Sequence, residues 1–435
     1  MNDNLKQQLI AWRRDFHRHP EQGFLEMRTA SRIAAELHQL GYALRLGREV
    51  MREDAIMGKP DAATTAAHAE WALANGAQPE FFAHFKDGFT AVVAELDTGK
   101  SGPTTAFRVD MDALPILESS EAAHRPQQLG FRSIKEGSMH ACAHDGHSAM
   151  GLALAHLIMQ NKDRLCGKLR LIFQPAEEGV RGAKSMVEAG VVDDADYFIA
   201  VHLGTGVAHR HFVAASSGFL ATSKLDVQFK GVAAHAGAAP QEGKNALLAA
   251  ATAALNLHAI SRHSAGASRI NVGELHAGNG RNIIANHASL KIETRGADAE
   301  VNDYVEAQAR RIIAAAADMY ALEYDIQLVG SSIHCQPSPA LAKRLAALAT
   351  QSPHFSHVIE EENSSLGSED AAYFVQRVQD RGGEASYCIV GTELAAGHHH
   401  ERFDIHEDSL IAGADILFRA ACDINALKYS TLTSK

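Results

Sequence analysis

The sequence predicts an α/β protein: a catalytic α/β unit on a mixed sheet, with a smaller ferredoxin-like α+β unit inserted into it. Three observations predict it. At 435 residues the chain exceeds what one hydrophobic core usually fills, roughly 250–300 residues. Short β-branched apolar runs stop abruptly at polar residues and are followed by helix-like stretches, the alternation of strands with helices. Between residues 220 and 330 that alternation gives way to a different order of elements.

In the first unit, the run at residues 105–109 ends at Asp110 and Asp112, and the run at 169–173 ends at Gln174, Pro175 and the pair Glu177-Glu178. The run at 198–201 ends at His202, and the run at 387–390 precedes Gly397-His398-His399-His400. Ligands of open α/β sheets gather beyond the carboxyl ends of the strands, so these separated segments are expected to deliver polar groups to one rim. Residues 48–87, with Gly58, Pro60 and a helical piece over 64–74, read as an insertion on this unit. In the second unit the patterning predicts a strand at 222–230, a helix at 244–260, strands at 269–275 and 288–293, a helix at 300–317 and a strand at 323–328. This is the split β-α-β-β-α-β order. The expected boundaries are 1–219 and 331–435 for the catalytic metal-binding unit and 220–330 for the insert.

A composition of 46% apolar and 21% charged residues suits a packed globular core. The net charge of −11 gives no general attraction to nucleic acid or to anionic lipid, and no local basic patch stands out. Neither partner is expected. The amino-terminal residues contain no apolar stretch of signal-peptide or membrane-span length, and the five widely spaced cysteines do not form a disulfide framework. Both features lead to the expectation of a cytoplasmic protein.

The 25 histidines are unevenly spread, and two clusters, His140-Ala141-Cys142-Ala143-His144-Asp145-Gly146-His147 and His398-His399-His400, combine imidazole with thiol or carboxylate. Cys142 and His144 lie two apart, so an extended or tightly turned segment brings both to one site. A thiolate between imidazoles suits a divalent ion, with Asp145 and His147 available to orient ligands. The same residues also fit an exposed histidine loop, or a Cys142 nucleophile with His144 or His147 as base. In Glu177-Glu178 one carboxylate can ligate while its neighbour accepts a proton from water; a solvated acidic turn is the alternative. Asp110 and Asp112, on alternate positions of a strand end, suit the orientation of a ligand histidine.

The segments Trp12-Arg13-Arg14-Asp15-Phe16-His17-Arg18-His19-Pro20-Glu21, Arg108-Val109-Asp110-Met111-Asp112-Ala113-Leu114-Pro115, His140 to His147, Phe173-Gln174-Pro175-Ala176-Glu177-Glu178-Gly179 and Ala234-His235-Ala236-Gly237 resemble, in order and across almost the whole chain, the family of aminoacylases, hippurate hydrolases and auxin-conjugate amidohydrolases. The resemblance implies a dinuclear amidohydrolase that cuts an N-acyl amino acid, with two divalent ions per subunit, Mn²⁺ or Zn²⁺. It points to p-aminobenzoyl-glutamate as substrate, with a broader N-acyl-amino-acid range or a non-catalytic partner of an active paralogue as alternatives. It implies Cys142, His144, Glu178, His202 and His399 as metal ligands and Glu177 as general base. His399 is preferred over His398 because it stands four residues before Phe403, the family's spacing. The insert resembles the family's lid and dimerisation unit, in which His235 reaches the neighbouring subunit's site and Asn282 and Arg295 face the substrate. A homodimer, or pairing with a related B-type subunit, follows from the same likeness. Ala143 stands where the family has glycine; if the position needs a positive φ, it carries strain. Ala285 and Asn286 likewise replace the usual proline and aspartate.

Overall fold

The computed structural model describes residues 1–363 and 367–427. Its strands are β1 (Ala43–Leu46), β2 (Val92–Asp97), β3 (Thr104–Asp110), β4 (Lys168–Gln174), β5 (Tyr197–Leu203), β6 (His211–Val213), β7 (Ala221–Lys230), β8 (Ser268–Ala277), β9 (His287–Gly296), β10 (Glu323–Ser332), β11 (His357–Ile359) and β12 (Glu384–Val390).

Eight strands form a mixed sheet in the order β1-β2-β4-β3-β5-β12-β6-β11. Its centre, β4-β3-β5-β12, is parallel throughout, while β2 against β4 and β6 against β12 are antiparallel. Consecutive strand residues enter opposite cores: Phe107 and Val109 pack with the helices Asp3–Arg18, His144–Gln160 and Asp408–Ile424, whereas Ala106 packs with Ala183–Glu188 and Ala372–Asp380. Helices therefore cover both faces, which explains why the central strands read as continuous apolar runs rather than as alternating ones. The helix His144–Gln160 is buried on nearly every side, so it has no polar face to show in its sequence. The piece expected at 64–74 is the helix Ala62–Ala74, capped by the Asp61 side chain on Thr64 N.

The remaining four strands form a separate antiparallel sheet in the order β10-β7-β9-β8. The helices Ala246–Leu257 and Ala299–Met319 cover one face, and their alanines (Ala249, Ala250, Ala253, Ala309, Ala316) pack against Leu225, Val227, Leu290 and Ile292. This is the ferredoxin-like arrangement expected from residue order. Each strand runs longer than expected, and β10 extends furthest at its carboxyl end. The run expected to end at 328 continues to Ser332, because a bulge between Leu328 and Gly330 restores the pairing and carries β10 on toward the large sheet.

Candidate metal centre

The parallel strands β4, β3, β5 and β12 present their carboxyl ends along one rim. Asp110 closes β3, Glu177 and Glu178 follow β4, His202 is the penultimate residue of β5, and the loop beyond β12 carries His398 and His399. Cys142 comes from a further segment, just ahead of the helix that begins at His144.

The chain turns sharply to bring these groups in. Among the described residues eight non-glycine positions have positive φ, and five of them (Ala143, Ala176, Val180, Thr205 and His399) flank this rim. Left-handed backbone is costly for residues with a Cβ and worst for a β-branched one such as Val180, and it persists where surrounding contacts fix it. At His399 one such contact is its N–H, which donates to Ala141 O at 2.8 Å.

Ligand-type atoms converge there. Donor atoms of Cys142, His144 and His202 lie within 4.8 Å of one another, as do those of Cys142, Glu178 and His399, and those of His144, Glu177 and Glu178. The imidazoles are oriented for coordination. His202 Nδ1 donates to Leu203 O at 2.8 Å, and His144 Nδ1 lies 3.2 Å from Asp112 Oδ1. In each ring that leaves the Nε2 lone pair toward the cluster. His144 Nε2 is buried with no hydrogen-bond partner, as expected of an atom whose partner is a cation, and Glu178 Oε1 faces His399 Nε2 at 3.3 Å. The donor set of thiol, three imidazoles and a carboxylate fits a pair of divalent ions. His398 is tied differently: its Nε2 accepts from Thr205 N at 3.0 Å, which leaves Nδ1 as the protonated nitrogen facing Cys142 Sγ at 3.5 Å.

A second layer holds this cluster in place. Asp112 accepts the N–H groups of both Glu177 (3.0 Å) and Glu178 (2.9 Å) while facing His144. Asp110 takes His147 Nδ1 at 2.6 Å and Arg108 Nη1 at 2.8 Å, and His147 Nε2 accepts from Leu203 N at 2.9 Å, beside His202. Arg108 reaches on to Glu369 Oε1 at 3.1 Å, and Tyr387 OH donates to Glu369 Oε2 at 2.6 Å. Glu369 and Asp370 lie with Glu177 in one buried carboxylate group that the sequence reading missed. The available signal was a second acidic pair ahead of a helix, which by itself also fits a solvated turn.

Burial and the carboxylates of Glu369, Glu178 and Asp370 push Glu177 well above the usual carboxyl range. Burial and the neighbouring imidazoles His147 and His398 hold His202 well below the ordinary histidine value, in the neutral form. Hydrogen bonding to Cys142 and Glu178 raises His399 to about 10. The upward shifts of Glu177 and His399 both report a negative potential where the ligand atoms meet.

Residues 106–423 match the peptidase family M20/M25/M40. The chain belongs to this family. It is 51% identical to the A subunit of p-aminobenzoyl-glutamate hydrolase from Escherichia coli (strain K12) and 50% identical to indole-3-acetyl-aspartic acid hydrolase of Enterobacter agglomerans, each over 96% of both chains. The crystal structure of an aminobenzoyl-glutamate utilization protein from Klebsiella pneumoniae superposes with a TM-score of 0.84 at 45% identity, covering 97% of both chains. As a member of the M20 metallopeptidases, the protein is a hydrolase that uses divalent metal ions.

Around the M20 centre lies a cavity of about 470 Å³, lined by Cys142, Glu177, Glu178, His202 and His399 and, from the second sheet, by Lys224 and Arg295. His235 and Asn282 do not line it. They sit together elsewhere on the insert, where Ala236 N donates to Asn282 O at 3.0 Å and His235 Nδ1 accepts from Gly237 N (3.1 Å) and Ala238 N (3.0 Å). Asp145, expected near the ligands, turns instead to Arg13 and His17, both at 2.9 Å.

Proposed function

We propose that the protein hydrolyses the amide bond of p-aminobenzoyl-glutamate, giving p-aminobenzoate and glutamate. The observation that carries this reading is a buried carboxylate, Glu177, beside a Cys-His-Glu metal cluster in a cavity that also contains an arginine suited to a free carboxylate. Names of relatives 50–51% identical along 96% of the chain support the choice of an acyl amino acid with an acidic side chain.

Cys142, His144, Glu178, His202 and His399 hold two divalent ions in this proposal, with Glu177 left outside the ligand set. When bound, the ions supply Lewis-acid polarisation of the amide carbonyl and lower the pKa of water. Glu177 takes the proton of the attacking water and returns it to the departing amine. Arg295 pairs with the substrate's α-carboxylate. His235 serves the neighbouring subunit of a homodimer: because Nδ1 accepts two backbone N–H groups, Nε2 carries the proton and can donate to the carbonyl oxygen as negative charge develops there. Asn282, held beside it, faces the same substrate. On this view residues 1–219 and 331–435 form the catalytic unit and 220–330 the lid and dimerisation unit, whose helix Ala246–Leu257 exposes Leu247, Leu248 and Leu255. A related B-type subunit is the alternative partner. Softness of the thiolate and imidazoles favours Zn²⁺, and Mn²⁺ is the competing assignment. We assign the protein to the cytoplasm; among the described residues no helix is long and apolar enough to cross a membrane.

A broader N-acyl-amino-acid range is the second reading, favoured by the 50% identity to a hydrolase named for an indole-acetyl conjugate. The test is release of p-aminobenzoate by purified protein loaded with Mn²⁺ or Zn²⁺, beside acetyl, benzoyl and indole-acetyl conjugates. No release with either metal rejects the first reading.

A further inference from the structure

Resting on the hydrolase reading above, we infer that Lys224 binds the side-chain carboxylate of the leaving amino acid, making the site selective for glutamate or aspartate conjugates over neutral ones.

The argument starts from strand register. Thr222 lies opposite Arg295, and Lys224 opposite Glu293, in the antiparallel pair β7/β9. Residues directly opposite share a face. The pair next to Lys224 and Glu293, Leu225 opposite Ile292, enters the helix-covered core. Lys224, Glu293 and Arg295 therefore occupy the other face, and Lys224 and Arg295 both line the cavity that contains Glu177 and the metal-ligand cluster.

The two cations are not redundant. Arg295 offers a planar fork for one carboxylate, and an amino-acid amide with a neutral side chain presents only one. Lys224 is a second, separate positive charge in the same cavity, about one-third exposed, whose ion pair with Glu293 is long at 3.9 Å. Glu293 lies closer to Arg295, at 3.1 Å, so it stays with the arginine while Lys224 remains able to take a ligand carboxylate. A fixed cation in a partly desolvated cavity favours a dianion over a monoanion of the same shape.

The fold also fixes where Lys224 lies. The β10 bulge places Gly330 opposite it in register. A Cβ at Gly330 would come 2.1 Å from Gly179 O and 3.4 Å from Lys224 Cδ. The lysine stem thus runs beside the tight contact between β10 and the Glu177-Glu178-Gly179 loop, a contact also closed by Ser331 N donating to Val180 O at 2.9 Å. Its charge is held alongside the reacting centre.

The experiment compares kcat/KM for p-aminobenzoyl-glutamate and p-aminobenzoyl-glutamine in metal-loaded wild type, Lys224→Gln and Lys224→Arg. The expected result is a glutamate-to-glutamine ratio that falls roughly 10- to 100-fold in Lys224→Gln, mainly through KM, and is largely retained in Lys224→Arg. A ratio unchanged within twofold in Lys224→Gln overturns the assignment. If wild type turns over neither conjugate, the hydrolase reading fails instead, and calorimetric binding of free glutamate against glutamine to the same three proteins decides the role of Lys224 by the same ratio.

Discussion

Asp112 Oδ1 lies 3.2 Å from His144 Nδ1, and the same carboxylate collects the N–H groups of Glu177 and Glu178. One side chain therefore orients a ligand imidazole and also the loop that carries the base. Removing such a partner of a metal-bound histidine typically costs 10- to 100-fold in metal affinity. Asp112→Ala is expected to lose metal in that range, read by competition with a chromogenic chelator. Metal affinity equal to wild type would falsify the positioning role.

Glu177 makes a different prediction, because it is proposed to carry a proton and not an ion. Glu177→Ala should reduce kcat by about 10²-fold or more while elemental analysis still finds two ions per chain. Loss of metal in parallel with activity would place Glu177 among the ligands. Retained activity would favour catalysis by a partner subunit.

Chelation separates metal chemistry from a Cys142 nucleophile. Burial and Glu178 push the Cys142 thiol up, the opposite of what a reactive thiolate needs. Treatment with a chelator should abolish amide hydrolysis, and Zn²⁺ or Mn²⁺ should restore it. Activity that survives chelation but is lost to a thiol alkylating reagent would reverse that conclusion.

Much of this centre was legible in the sequence because strand ends in an α/β sheet are marked by abrupt polar stops, and Asp110, Glu177, His202 and the histidine cluster all stand at such stops. The ferredoxin-like insert was legible because its order of apolar runs is distinctive. The Arg108–Glu369–Tyr387 network was not: it joins residues 261 and 18 positions apart, and long-range pairing leaves no local pattern. Lys224 was missed for a related reason, since its place in the cavity depends on the β10 bulge and the meeting of two sheets. Ala143 was flagged by its departure from the family glycine, and its φ of 72° meets the stated condition for strain.

That strain can be weighed. Left-handed backbone costs alanine roughly 1–2 kcal/mol relative to glycine. The fully buried Ala143 methyl offsets about 0.8 kcal/mol of it. Ala143→Gly should therefore leave stability unchanged or raise it by up to about 1 kcal/mol in urea unfolding. A loss greater than about 1 kcal/mol would mean that packing of the methyl outweighs the backbone term.

His17 gives the stability a defined pH dependence. Its ring is fully buried, with Nδ1 2.9 Å from Asp145 Oδ2 and Nε2 3.0 Å from Glu118 Oε1. Burial alone would depress its pKa, but the two carboxylates outweigh burial and raise it to about 9 from an ordinary 6.5. A group whose folded pKa is raised stabilises fully below its unfolded value, and the contribution fades as pH climbs through the folded one. The His17 contribution, on the order of 3 kcal/mol, should accordingly be whole at pH 6, decline from about 6.5 to 9, and be absent above that. Urea midpoints of wild type and His17→Gln measured from pH 6 to 9.5 should converge as the pH rises. A gap between them that stays constant across that window would show that His17 is held neutral and that its role is packing alone.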